Sequence, residues 1–469
     1  MNLSIYKVFN NTKAIFRKNF GIWSLKGSLV FRIAFVACLA QATGALLNLN
    51  LIHYFSILLA AALFFSLAKK GASTKLAFPK SLDIVLLALG LILIVQIMIG
   101  NGFGVLTGGG YVIIFTLIIY NLLVIGNPQA STIYSWITFL FQFLLLGMVA
   151  ELLLIISGRQ NLLTQLLKSP ALESYKEYNP ADFIHAIGLA PDAGGANSIL
   201  LGSQIAGMLC LLAFIWFLNA DLNKGGLKKY IHPIFPWLLL AFALLITTIN
   251  GAVAFMACIG LCAYFIVIYQ STKKMAIVIV LTILFAIFYG LVSNGYVFER
   301  IFSGNAAEFS RDVIELFKAY QLQDITKDIS VLDYYLFTFL RPVDLWSELN
   351  LTNQIFGAGG PYFLDENIYI SGDFGFGAEV LLKSGFVWCA IFSTFIILTC
   401  VNGMRTSKTM GNAFSPWVNL RMINSLCVLL WFASLIHYPP AIQNTGAIYL
   451  FAMQLALIFY SNQQLSLSK

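Results

Sequence analysis

The residues of this chain that could do chemistry are few, and they fall into two sets. The first is four arginines, Arg159, Arg300, Arg311 and Arg341, in segments that the charge pattern places outside the membrane. A guanidinium presents a planar fork of donors that suits phosphate, so these side chains are candidate ligands for a phosphate-bearing substrate. Each also has a structural alternative. Arg159 could anchor a helix at the interface, and Arg300 could pair with Glu299 or Glu308. Arg311 lies one helical turn from Glu308 and Glu315. Arg341 ends an apolar stretch beside Pro342, a placement aimed at the membrane face. The second set could carry a proton. Glu151 is an acid inside an apolar run, where ionisable groups are costly and mark function by default. His185 lies in an outer loop, and His437 opens the outer turn His437–Gly446, which also contains Asn444. An outward histidine near arginines can act as base or phosphate ligand. His53, in a tight outer turn, and His232, in a basic inner loop, read as structural. Lys383 reads as a residue that snorkels outward.

Three glycine clusters superficially resemble phosphate loops: Gly108–Gly110, Phe356–Gly360 and Gly372–Gly377. None follows a strand or ends in Gly-Lys-Ser/Thr, so a nucleotide site is not expected. Turns or helix starts are the expected role, although a glycine amide can approach a phosphate closely.

The elements that must position these groups follow from composition. Of 469 residues, 59% are hydrophobic and 10% charged. A soluble domain carries about 25% charge, so the chain is read as a polytopic membrane protein. Forty Phe against twelve Pro exclude a disordered chain. The net charge of +8 does not indicate nucleic acid. Lysines and arginines recur on alternate loops, around 7–32, 69–80, 224–229, 273–274 and 405–421, as the positive-inside rule expects of the cytoplasmic side. The seven cysteines all fall in apolar runs, so no disulfide framework is expected. Cys258 and Cys262 share a helix face but read as packing, and no metal site is expected. The first apolar run is too long for a cleaved signal peptide, and residues 4–23 read as interfacial.

Twelve runs approach the length of a span, near 29–47, 51–68, 82–100, 111–126, 133–157, 196–218, 233–248, 251–270, 275–293, 377–401, 422–437 and 446–461. The expected fold class is all-α: one polytopic domain over 1–469, about twelve transmembrane helices and both termini cytoplasmic. Two larger outer segments interrupt the hairpins, a first loop at 158–195 and a main loop at 294–376. The main loop holds twelve of the twenty acidic residues. Its apolar positions Phe309, Val313, Leu316, Phe317 and Tyr320 predict a helix, and the stretch Val331–Leu340 stops before Pro342. The loop is therefore expected to be helical. No internal repeat is visible.

Five segments stand in a telling order from about residue 135 onward: "HAIGLAPDAGGANSILLG" (185–202), "TTINGAVAFMACIG" (247–260), "SRDVIELFKAY" (310–320), "NQIFGAGG" (353–360) and "FGFGAEVLLKSGFVWCAIF" (374–392). In these segments and their order the chain resembles the O-antigen polymerase and O-antigen ligase superfamily of bacterial inner membranes. His185 stands where the family has an arginine, and Asn197 fits its small Gly/Asn signature. Ligases of this superfamily carry a His-Asn pair before the last of these helices. Here Asp373-Phe374-Gly375-Phe376 stands in its place, which favours polymerase over ligase.

The resemblance implies a large membrane glycosyltransferase of GT-C-like architecture, with no cofactor or metal. Its substrates would be undecaprenyl-diphosphate-linked oligosaccharides, joined on the periplasmic side. Arg311 and Arg341, with Arg300 and Arg159, would neutralise the diphosphate. Asp373, Glu151, His185 and His437 are the candidate bases, and Asn197, Tyr362 and Asn444 would bind glycan. Partners would be membrane lipids, a chain-length regulator and a flippase. The rival expectations are an O-antigen ligase that transfers polymer to lipid A core, and a lipid-linked oligosaccharide flippase or transporter.

Overall fold

The computed structural model describes residues 29–47, 51–71, 76–156, 203–220, 280, 342–359, 362–365, 368–370, 377–404, 415–435 and 445–467. The long helices are α1 (Leu29–Leu47), α2 (Ile52–Lys70), α3 (Lys80–Met98), α4 (Tyr111–Gly126), α5 (Ala130–Ile156) and α6 (Ser203–Ala220). A short α7 (Leu351–Phe356) precedes two strands, β1 (Tyr362–Asp365) and β2 (Ile368–Ile370). Three more long helices follow: α8 (Lys383–Met404), α9 (Pro416–Ser434) and α10 (Thr445–Leu467). Nine of the twelve expected spans therefore coincide with described helices. The other three, near 233–293, lie outside the described residues apart from residue 280.

Six of these helices are long and apolar enough to cross a membrane. What marks them as membrane helices is where their apolar side chains point. In α3, Leu82, Val85, Leu89 and Ile92 are buried, while Ile84, Leu87, Leu91, Ile94 and Ile97 are exposed on the other side. A helix of a soluble protein would turn polar residues outward; one that is apolar all round belongs in lipid. Burial grades across the bundle, from 17% of the apolar window in α2 to 94% in α10. Helix α10 is thus the centre, wrapped by α9, α4 and α1. Trp136, Trp216, Trp388 and Trp431 are fully buried in the bundle, and Trp431 packs directly on α10.

Contacts along the helices fix their relative directions. Helix α4 runs parallel to α10, because Thr116 lies against Ala452 and Asn127 against Tyr460. Helix α9 runs antiparallel to α10, with Trp431 bonded to Gln454 and Arg421 to Asn462. Helix α3 is antiparallel to α4, since the Asn121 side chain holds the backbone of Ala77 at one end while Leu89 meets Gly110 toward the other. Helix α2 is parallel to α4, with His53 against Tyr111 and Phe55 against Phe115. Lys69, Lys70, Lys80 and Arg421 consequently share one end of the bundle. The starts of α4, α8 and α10 share the other, with the ends of α3 and α9.

Local sequence explains the boundaries that differ from the apolar runs. Helix α9 starts at Pro416, six residues before its run begins, because Ser415 accepts a capping bond from the Trp417 amide at 3.4 Å and proline suits the first helical turn. Helix α4 ends at Gly126 and is capped by Asn127, which adopts the left-handed conformation (φ 43°). The segment expected to form only helices also contains a hairpin. Residues 342–348 and α7 are helical, but β1 and β2 pair antiparallel with a register shift between Phe363 and Asp365. Alternating Tyr362, Phe363 and Leu364 with Ile368, Tyr369 and Ile370 supply the β-branched and aromatic residues that strands favour.

Candidate functional site

One polar constellation stands out among the described residues, at the end where α3 finishes and α4 and α8 begin. Three backbone segments far apart in sequence cross there: the α3–α4 linker, the residues after α7, and the first turn of α8. Glycine makes the crossing possible. A Cβ on Gly359 would stand 1.6 Å from the Asn101 carbonyl oxygen. On Gly385 it would stand 2.3 Å from the Ile355 oxygen, on Gly357 2.3 Å from the Lys383 oxygen, and on Gly104 2.4 Å from that same oxygen. Gly357, Gly359 and Gly385 also have positive φ (83°, 74° and 81°), which side chains with a Cβ disfavour.

Two amide side chains lock the crossing. Gln96 is fully buried near the end of α3. Its Nε2 donates to the Phe356 carbonyl (2.6 Å) and the Lys383 carbonyl (2.9 Å), and its Oε1 accepts from the Val105 amide (2.8 Å). Asn101 Nδ2 donates to Asn353 Oδ1 and to the Gly357 carbonyl, both at 2.8 Å. Backbone bonds from Ala358 to Leu382 (2.9 Å) and from Gly359 to Lys383 (3.2 Å) complete the seam. Ser384 donates to the Gly104 carbonyl, and Trp388 Nε1 to the Gly108 carbonyl. Just below, Phe392 packs against Gly109, with ring carbons 3.0–3.3 Å from where a Cβ would be.

The helices break at this seam. A wide turn of π type, Leu106–Gly110, precedes α4, and another, Gly377–Leu382, precedes α8. Irregular backbone at the level of apolar spans needs partners, because lipid supplies none. Here the Leu382, Lys383, Gly104 and Gly108 carbonyls each accept a bond from another segment of the chain. The amides of Gly357 and Gly359 are committed to carbonyls, so these glycines act as turns in close contact, as their composition suggested.

Of the eleven residues proposed from sequence as base, diphosphate or glycan ligands, two lie on described elements. Glu151 is on α5, five residues before its end at Ile156. Tyr362 opens β1, paired with Ile370. Asp373, His185, His437, Arg311, Arg341, Arg300, Arg159, Asn197 and Asn444 lie outside the described residues. The described residues to which several of them are joined do converge, however. Pro342 follows Arg341, Gly377 stands four positions after Asp373, Leu435 two before His437, and Thr445 directly after Asn444. The helical turns from Pro342 reach this end through Trp346, which packs on Phe386 at 6.1 Å and donates to the Gln354 carbonyl. The glycines stood out in the sequence, whereas Gln96 did not. Its signal was available: it is the one amide inside the apolar run of α3.

Among the described residues no three His, Cys, Asp or Glu side chains gather as a metal site would require. Comparison of the chain with protein-family models and with curated proteins found no match.

Proposed function

We propose that the chain is a polysaccharide polymerase of the bacterial inner membrane that joins undecaprenyl-diphosphate-linked oligosaccharide repeat units on the periplasmic side, building O-antigen or a related surface polysaccharide. The observation that carries the reading is the glycine seam. Two of the segments that resemble the polymerase superfamily, beginning at Asn353 and leading into α8, are bound to each other and to the end of α3. The foot of the acid-rich main loop is thereby fixed over the membrane helices, at the end to which Arg341, Asp373, His437 and Asn444 are joined in sequence. Lys69, Lys70, Lys80 and Arg421 share the opposite end. By the positive-inside rule that end is cytoplasmic and the seam periplasmic.

The chemistry needs little from the protein beyond placement and charge. Diphosphate is a good leaving group, and Arg311 and Arg341, with Arg300 and Arg159, would neutralise it as the bond to the anomeric carbon breaks. A base accepts the proton of the attacking hydroxyl. Two features support this reading over its rivals. Transporters keep the carbonyls of broken helices open for ions or substrate, whereas the Gly104, Gly108, Leu382 and Lys383 carbonyls at the breaks before α4 and α8 are taken by donors of the chain itself. The ligase reading lacks its histidine, since Asp373-Phe374-Gly375-Phe376 precedes Gly377.

The test is complementation of a polymer-deficient strain with Arg311→Ala, Arg341→Ala and the corresponding lysine variants. Long glycan chains should disappear and single-repeat caps accumulate in the alanine variants, with the lysine variants partly active because a point charge cannot form the bidentate fork. Persistence of long chains in all four overturns the diphosphate assignment. Lipid-linked polymer left untransferred would indicate the ligase instead.

A further inference from the structure

His53 and Tyr111 form a pair at the seam end that the assignments above leave unused. His53 is exposed in the first turn of α2. Tyr111 opens α4 directly after Gly108–Gly110, and its ring is buried. The Tyr111 hydroxyl and His53 Nδ1 are hydrogen-bonded, and the rings meet edge-on with centroids 5.6 Å apart. Phe115 packs 6.0 Å from the Tyr111 ring and 5.8 Å from Phe55, so the phenol is held from its apolar side.

An imidazole held this way has different tasks for its two nitrogens. With its proton on Nδ1, donated to the Tyr111 oxygen, the lone pair is on Nε2. That bond survives when Nε2 takes a second proton, so the ring stays oriented in both states. The ionisable groups on α2 and the helices packed against it are Tyr54, Lys69 and Lys70 on α2, Arg32 and Cys38 on α1, Tyr111 and Tyr120 on α4, and Tyr449 and Tyr460 on α10. The two lysines lie at the far end of α2. None of these four helices carries a carboxylate.

We propose that His53 is the proton acceptor of the polymerising reaction, oriented by Tyr111. Nε2 takes the proton of the acceptor sugar hydroxyl as its oxygen bonds to the donor's anomeric carbon. The bond from that carbon to the diphosphate oxygen breaks, and undecaprenyl diphosphate leaves with the electron pair. This assignment rests on the polymerase reading, and it fills the role for which Asp373, Glu151, His185 and His437 were the sequence candidates. Tyr111 is a positioning residue.

The experiment uses full-length wild type, His53→Gln and Tyr111→Phe in liposomes with undecaprenyl-diphosphate-linked repeat units. Glutamine can still bond the Tyr111 hydroxyl but cannot take the proton. His53→Gln is expected to lose about 10²- to 10⁴-fold in turnover, with apparent KM and melting unchanged and the acid limb of the pH–rate profile gone. Tyr111→Phe should keep that limb with a smaller loss. A His53→Gln rate within tenfold of wild type, or an unchanged acid limb, overturns the assignment. So does loss of folding together with activity, which marks the pair as structural. Wild-type protein that makes no polymer overturns the polymerase reading itself.

Discussion

At the scale of single residues, the seam makes four glycines do what no other residue can, because each leaves a gap that the backbone of another segment fills. Adding a methyl group at Gly359 or Gly385 forces two backbones apart and also imposes a positive φ on a residue with a Cβ. Each Gly→Ala change should cost at least about 2 kcal/mol, read as a lower melting temperature and lower yield of folded protein in detergent. Gly90, in the middle of α3, has nothing within 4 Å of a Cβ and ordinary helical φ, so Gly90→Ala should be neutral or raise the melting temperature. Equal effects at the three positions would contradict the close-contact account. The sequence made part of this readable. Clusters such as Phe356–Gly360 announced turns, but nothing in the chain told that Gly359 meets Asn101, more than 250 positions away, since glycine has no side-chain chemistry to betray its partner. Gln96 was legible in principle, as an amide inside an apolar run that requires a partner. His53 looked bland for the opposite reason, since its meaning comes from Tyr111 on another helix.

At the scale of elements, α7, the α3–α4 linker and the start of α8 form one unit, so the C-terminal foot of the main loop moves with the membrane helices. The side chains of Asn101 and Asn353 touch across this unit. Replacing both with cysteine and joining them by a short, cleavable thiol crosslinker should leave turnover at the level of the same double variant without the linker. Loss of turnover that returns when the linker is cut would mean the foot must lift during the cycle, contrary to this account. Helices of the bundle were largely legible because apolar length announces a span whatever packs beside it. Their ends were less so. The start of α9 depends on the Ser415–Pro416 cap rather than hydropathy, and the turns before α4 and α8 depend on donors such as Trp388 and Ser384 reaching carbonyls of other segments. The hairpin of β1 and β2 was hidden in a stretch whose neighbours read as helix.

At the scale of the molecule, the two ends of the bundle differ in kind. One carries Lys69, Lys70, Lys80 and Arg421; the other carries the crossing of three segments and the foot of a loop with twelve of the chain's twenty acids. Between them the exposed surface of α2 and α3 is apolar, with Phe64, Phe65, Leu87 and Ile94 facing outward, so lipid is the environment both helices require. A positive surplus on one side and, on the other, an acid-rich segment whose foot is bound to the helices suit an enzyme that receives lipid-linked substrates at one face of the membrane. The most direct measurement of that claim is the product of the purified chain in liposomes supplied only with undecaprenyl-diphosphate-linked repeat units. A polymerase yields a ladder of lipid-linked oligomers growing by one repeat, with one undecaprenyl diphosphate released per bond formed. Repeat units that stay single, or that only change sides of the bilayer, would contradict that claim.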